Sequence, residues 1–529
     1  MNSKFDAIII GAGHNGLVAA AYLARAGRKV LVLERRELVG GCVVTEELWP
    51  GFKVSTASYV NSLFRPEIIR ELDLKRHGFA MIPRSPSSFT PLPDGRFLLM
   101  GPDKQMTYRE VAKFSQRDAD NLPRFEAMLE RIAAFLEPML LQTPPNPWSL
   151  LPANLFQLAK IAWNFRKLGR EGQQAIEILT GAANPILDRW FESEVVKTTI
   201  STDAIIGAFA TPSMPGTAYV LFHHVMGECD GVRGVWGYVR GGMGALANAI
   251  ASAAREHGAT IQVNAPVSRI LVNNGRATGV ALANGDEYRA ETVVSCVDAQ
   301  VTFLRLMDAR DLPEDFADAV RHLDYSSGSC KINLALSEVP DFTCLPGHHP
   351  GPQHRGTIHI SPDRAYIEKA FDCAKYGYIS ERPVIEATIP SSLDETVAPK
   401  GRHVMSMFTQ YFPYTLAADA GTLEENKKRY AERCIDIMTE YAPNFRKAVI
   451  DYQVLSPVDL EARFGLTGGN IMQGAMSLSS LGFMRPLAGY ADYRTPISGL
   501  YLCGAATHPG GGVMGACGYN AAREILKDF

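Results

Sequence analysis

Gly11, Gly13 and Gly16 fall in the spacing G-x-G-x-x-G, and Glu34 stands at the end of the next apolar run. Each glycine has its own task at a dinucleotide: Gly11 permits a tight turn, Gly13 lets the main chain approach a pyrophosphate, and Gly16 lets a helix lie close on a sheet. Glu34 is placed to accept hydrogen bonds from a ribose 2′-hydroxyl, and Arg35 beside it joins the cofactor-binding candidates. Gly40 and Gly41 make a second tight turn close enough to meet the same ligand, and Gly504 with Gly510 to Gly512 makes a third glycine group near the C terminus. The titratable candidates are Lys331, set between apolar Cys330 and Ile332, and His508 in THPGGG. A lysine so flanked on a strand must face a polar cavity or solvent. Ser55, Thr56 and Ser58 either hydrogen-bond a ligand or serve as turn residues, and Arg485 either contacts a ligand or ties a loop. The adjacent His223 and His224 point to different faces of a helix, so structural histidines are expected there and no metal.

These residues need elements to hold them. Asp6 to Ile10 reads as a short buried strand, because its apolar run stops at glycine; a helix opens at Leu17, and Lys29 to Leu33 is a second strand. Strand, glycines, helix, strand and acid in that order form a mononucleotide-binding unit. Asp94-Gly95 marks a hairpin, Ser115 with Asp118 resembles a capping box, and Leu150 to Arg170 forms an apolar helix ending in basic residues. That helix is either a substrate-domain helix or a contact with a membrane interface. Residues 171 to 230 read as helical, and 236 to 258 as a helix opening after glycines. A strand begins near Ile261, hairpins turn at Asn274-Gly275 and Asn284-Gly285, and Thr292 to Val297 is an apolar strand. SCKINLALS, PVIEATIPSS and HVMSMFTQYFPY then read as long strands of a mixed sheet, before a helix from Glu424 to Tyr441. The last residues return to strand, glycines and helix.

The composition is ordinary for a globular chain of 529 residues: 46% hydrophobic, 21% charged, formal net charge −3. No basic run is concentrated enough to bind a phosphate backbone, so no nucleic-acid partner is expected. The nine cysteines include no C-x-x-C pair, which argues against both a zinc site and disulfide-reductase chemistry. A strand starting by about Phe5 leaves no room for a signal or transit sequence, and no run of about 18 apolar residues spans a membrane. The expectation is a cytoplasmic protein, peripheral to the membrane if the Leu150 to Arg170 helix touches it, or mitochondrial if the chain is a processed eukaryotic product.

Two distant glycine elements, at 11 to 16 and 504 to 518, need one explanation. The second lacks its own G-x-G-x-x-G, so both ends are expected to meet one long cofactor, FAD. The N-terminal motif, Gly40-Gly41, WGYVRGGMGAL and LYLCGAATHPGGGVMGA together resemble the phytoene desaturase and flavin amine oxidase superfamily, and the likeness runs from the first strand to the last helix. The resemblance implies an α/β, Rossmann-like FAD-binding domain assembled from discontinuous segments, with an inserted substrate domain of helices and mixed sheet. It divides the chain into FAD-binding segments 1–75, 231–325 and 461–529 and substrate segments 76–230 and 326–460.

It further implies that Gly11, Gly13 and Gly16 cradle the pyrophosphate, that Glu34 binds the adenosine ribose, and that Gly40 and Gly41 are the family's double-glycine turn. Cys42 stands where an arginine usually follows. The Val267 main chain would hold the adenine, Gly504 would lie by the second FAD-binding turn, and Val513 and Met514 would present helix N–H groups to the flavin C2 carbonyl. Lys331 matches the lysine that holds a water near flavin N5 in amine oxidases, and His508 would hydrogen-bond near the flavin. The implied reaction is hydride transfer from a C–H bond of a mainly apolar substrate to flavin N5, with oxygen or a quinone as electron acceptor. Oxidation of an amine is the alternative, and a non-catalytic flavoprotein serving as a respiratory-chain partner is a third. A homodimer is consistent with all three.

Overall fold

The computed structural model describes residues 5–529, and the strand Phe5–Ile10 begins at the first of them. This strand lies in the middle of a seven-stranded sheet. Val30–Leu33 pairs with it in parallel on one side and Glu287–Ser295 on the other; Thr260–Gln262 extends the first side and Leu500–Leu502 the second, all parallel. The early half of Glu287–Ser295 turns antiparallel to Arg276–Leu282, which pairs with Val267–Asn273 through the Asn274-Gly275 turn, where both residues have positive φ. Parallel strands covered on both faces read as unbroken apolar runs. That is why Ile8, Ile9, Val30, Leu31 and Val32 are all buried. The expected strand at 292 to 297 starts earlier and stops at Ser295.

The helix His14–Arg25 lies on this sheet, between Gly244–Glu256 and Ala516–Asp528. Small residues bring the helices close: a Cβ on Gly518 would stand 2.0 Å from the Asn15 carbonyl oxygen. The first and last helices of the chain are therefore packed side by side, and Tyr22 meets Tyr519 edge-on at 5.0 Å.

A second seven-stranded sheet runs in the order Val449–Leu455, Ser329–Leu336, His403–Gln410, Val384–Thr388, Thr357–Ile360, Ser88–Pro91, Phe97–Met100. All its pairs are antiparallel except Thr357–Ile360 with Ser88–Pro91. Side chains on a strand alternate between faces. In Ser329–Leu336, Cys330, Ile332, Leu334 and Leu336 join the core under the helix Leu423–Tyr441, which leaves Ser329, Lys331 and Asn333 for the opposite face.

Helices make the third part. Ser115 accepts from the Asp118 N–H at 3.1 Å to cap the helix Gln116–Leu140. The expected box is only half made, because the Asp118 carboxylate instead accepts from the N–H groups of Glu192 and Ser193 at 2.9 and 2.8 Å. The helix expected over Leu150 to Arg170 spans Pro152–Arg166: Pro152 sets its start, and Gly169 at φ 57° separates it from Glu171–Thr180. Among the described residues no helix is long and apolar enough to cross a membrane.

Candidate active site

One cavity of about 1040 Å³ runs from the glycine turn of the first sheet to the polar face of the second. At its first end, Gly11 (φ 91°) donates its N–H to the Leu33 carbonyl at 2.8 Å, and the helix opens with Gly13 as N-cap. The N-cap glycine has no capping side chain, and the Gly16 N–H is taken by the Cys296 Sγ at 3.1 Å, which leaves the helix start at Gly13, His14 and Asn15, with its positive dipole end, facing the cavity. Gly11, Gly13, Gly40 and Gly41 line the cavity. A Cβ on Gly41 would be 3.3 Å from the Gly13 Cα, so the two glycine turns touch. Gly16 does not line it: its Cβ would stand 2.4 Å from the Gly11 carbonyl oxygen, which makes it the point where helix meets sheet.

Glu34 is buried at the cavity wall, its carboxylate accepting from the N–H groups of Ala12 at 2.8 Å and Arg36 at 3.0 Å. Arg35 and Arg36 both line the cavity but take different partners. The Arg35 guanidinium donates to the carbonyls of Ala462 and Arg463 at 3.2 and 2.9 Å, where it closes the helix Pro457–Phe464. Arg36 pairs with Glu46 at 2.7 Å and keeps a buried Nη1 with no hydrogen-bond partner on the cavity wall. An unpaired buried guanidinium nitrogen on the cavity that the helix start also lines fits a phosphate group, so Arg36 is a cofactor candidate that the sequence reading missed. Val267 and Cys42 also line this end, the Cys42 thiol pushed up to about 12 by burial. Ser55 ends the strand Phe52–Ser55 and accepts from the Met243 N–H, Thr56 donates to Glu46, and Ser58, which lines the cavity, donates to the Cys42 carbonyl.

The C-terminal glycine loop meets the cavity through Gly511, Gly512 and Val513, the last at φ 59°. His223 and His224 line it too. His223 is kept neutral, its pKa lowered to about 3 by burial, and its Nε2 lies 3.1 Å from the Gly511 carbonyl oxygen. A carbonyl only accepts, so Nε2 carries the proton and Nδ1, which has no partner, is the free acceptor.

Three expected positions fall elsewhere, and Arg485 takes the second of the two roles expected of it. Met514 is buried in the helical core and its carbonyl accepts from the Arg65 N–H, because the terminal helix starts only at Ala516. Gly504 packs where a Cβ would stand 2.3 Å from the Cys296 carbonyl oxygen, behind the cavity wall. His508 turns away and bonds the Met139 carbonyl at 2.9 Å, at the end of the helix Gln116–Leu140; burial holds it neutral, near 4. Arg485 is a tie inside the protein, donating to the carbonyls of Ala505, Met472, Ala475 and Ser480.

At the other end the second sheet supplies the floor. Register places Lys331 opposite Phe408, Phe408 opposite Glu386, and Glu386 opposite His359, in one row across four strands. All four line the cavity. The buried Lys331 Nζ donates to Ser406 and stands 4.1 Å from the Tyr59 ring centre. Burial lowers its pKa well below the usual lysine value. Glu386 is 5% exposed and its Oε1 has no hydrogen-bond partner, with His359 Nδ1 at 3.5 Å. Asp203, half-buried beside them, is raised by burial.

The chain matches the flavin containing amine oxidoreductase family over residues 16–377. It is 46% identical over 548 residues to pyridine nucleotide-disulfide oxidoreductase domain-containing protein 2 of Rattus norvegicus, covering 100% of this chain and 94% of that protein. It is 26% identical to a limonene dehydrogenase chain of Castellaniella defragrans, covering 99% and 95%. Among solved structures, putrescine oxidase bound to putrescine shares the fold with a TM-score of 0.60 at 17% identity, over 99% of each chain.

Proposed function

The chain belongs to the flavin containing amine oxidoreductase family, and from that premise we propose that it binds FAD and takes hydride from a C–H bond of a mainly apolar substrate. The observation that carries this reading is the single cavity linking the helix start at Gly13 and the glycine turns to the row that contains Lys331. Gly11, Gly13 and the first turn of the helix His14–Arg25 would hold the pyrophosphate, with Arg36 as its charged partner and Glu34 on the ribose. Gly511 to Val513 would meet the ring end. When bound, the flavin supplies a hydride acceptor at N5 and passes the electrons on to oxygen or a quinone. Val60, Leu63, Ile200, Ile206, Trp236 and Phe408 give the cavity an apolar wall against which a hydrocarbon chain would be oriented and shielded from water. Limonene, in the name of one relative, is such a hydrocarbon. Lys331, buried and held toward its neutral form, would position a water beside the reacting carbon.

Oxidation of an amine is the second reading, favoured by the carboxylates of Glu386 and Asp203 on the same wall. Anaerobic addition of terpenoid and polyene hydrocarbons, and separately of amines, to the yellow protein tests both. Bleaching of the flavin band by a hydrocarbon is the expected result. Bleaching by amines alone selects the second reading, and a flavin that no compound of either class bleaches ends the enzymatic one.

A further inference from the structure

We propose that the helix Pro152–Arg166 is a membrane-surface element, whose outward apolar face and basic border rest on an anionic lipid surface. The inference goes beyond the functional reading above and stands without it.

Only Lys160 and Arg166 are charged in this helix, yet none of its residues is buried. A helix apolar on both sides ordinarily lies in a core. Here only one side has cover. Asn154, Leu158, Ile161 and Phe165, three or four residues apart, are half-buried and form the seat on the protein: Phe165 meets Phe135 edge-on at 5.8 Å, and the Asn154 side chain exchanges hydrogen bonds with the Asn146 main chain at 3.1 Å. The other side carries Leu155, Phe156, Ala159 and Trp163, with Phe156 72% and Trp163 63% exposed. Trp148, Leu150 and Leu151 extend the apolar surface ahead of the helix, and Trp148 meets Phe483 at 5.6 Å. Trp148 and Trp163 are the two exposed tryptophans among the described residues, and tryptophan favours the boundary between water and acyl chains.

Charge decides what covers this face. Between Trp148 and Arg170 no residue is acidic, while Lys160, Arg166, Lys167 and Arg170 are basic, in a chain whose formal net charge is −3. Among the described residues none of the four pairs with a carboxylate; Lys167 donates only to the Asn164 side chain, at 3.3 Å. Lys160 lies one turn on from Phe156, and Arg166 and Lys167 one turn on from Trp163, so cations border the apolar strip. Long basic side chains in that position reach headgroup phosphates while the rings beside them enter the acyl boundary. A second copy of the chain fits worse, because a two-fold interface sets the same patch, and therefore the same cations, against itself. An anionic bilayer satisfies the apolar face and the charge together.

The helix beneath, Gln116–Leu140, carries Phe135 and also lines the cavity through Leu122, Glu126 and Leu129. The lipid-facing helix is thus one layer from the cavity. For the apolar substrate proposed above, docking would bring the protein to the acyl chains in which such a compound dissolves; the docking itself does not require it.

The test is cosedimentation of the full chain with vesicles of phosphatidylcholine alone and of phosphatidylcholine with phosphatidylglycerol. The anionic vesicles are expected to bind on the order of tenfold or more tightly, with the difference shrinking in high salt. Tryptophan emission should shift to the blue on binding and be quenched by brominated acyl chains. Phe156→Ser with Trp163→Ser, and Lys160→Glu with Arg166→Glu, should each weaken binding at least about tenfold, at an unchanged melting temperature because no side chain altered is buried. Tyr376→Ser, an aromatic 68% exposed elsewhere, should bind like the wild type. Wild-type protein left in the supernatant overturns the proposal, as do equal binding to both vesicles, double variants that sediment like the wild type, or a Tyr376→Ser loss as large as theirs. A dimer that Phe156→Ser with Trp163→Ser disperses, in a protein that ignores vesicles, assigns the face to a second copy and overturns it too. Where a double variant fails to fold, the wild type decides, and tryptophans that brominated lipid leaves unquenched overturn the proposal.

Discussion

Replacing Gly13 with alanine should leave the fold intact and weaken FAD binding sharply. The added Cβ would touch only the Cys296 Sγ, at 3.4 Å, an ordinary contact, and the backbone there is extended. What it would occupy is the approach of a pyrophosphate to the open helix end. Losing one or two charge-assisted hydrogen bonds to the phosphates weakens binding by roughly tenfold to several hundredfold. Gly16→Ala is the contrasting variant. Its Cβ would stand 2.4 Å from a backbone oxygen and 3.1 Å from Cys296, so the helix must lift from the sheet, an overpacking cost of about 1–3 kcal/mol. That variant should lose thermal stability and FAD together. Measuring flavin absorbance and melting temperature on both separates a ligand cradle from a packing contact. Gly13→Ala protein that loads FAD like the wild type would remove the glycine turn from the cofactor site.

The contrast also shows what was legible in the chain. The nucleotide unit is local: strand, glycines, helix, second strand and Glu34 lie within a few tens of residues, so spacing alone places Gly11, Gly13 and Glu34 on one wall. The substrate floor is not local. SCKINLAL alternates cleanly and so shows which face Lys331 takes, but its neighbour in space, His403–Gln410, comes after Val384–Thr388 in the chain. Nothing in the linear pattern says that Lys331, Phe408, Glu386 and His359 share a row, because strand order is set by long-range pairing. The strands Thr357–Ile360 and Val449–Leu455 went unread for the same reason. At the C terminus the glycine run was expected to meet the same ligand as the first, and Gly511 and Gly512 do line the cavity, but its side chains were assigned by closeness in sequence. Packing sends His508 to the Met139 carbonyl and Met514 to the helical core, while His223, far away in the chain, is the histidine that meets the loop.

Lys331→Met should slow flavin reduction or reoxidation by at least about tenfold, the low end of what a positioned proton-handling group contributes, while FAD content is unchanged. The stability of the same variant gives an independent reading of the lysine. Burial disfavours the ammonium in the folded protein, whereas the unfolded chain keeps its proton up to the ordinary lysine pKa. Between those two values the unfolded state binds the extra proton, so wild-type stability should rise with pH across that window; below the folded value the full penalty of the buried charge remains. Methionine has nothing to protonate, so Lys331→Met should lose this slope and be at least as stable as the wild type at neutral pH. A lysine kept only for packing or for its bond to Ser406 would behave otherwise, with stability falling on replacement and flavin kinetics unmoved. Slower chemistry in an equally or more stable protein is what a functional group held in an unfavourable place produces.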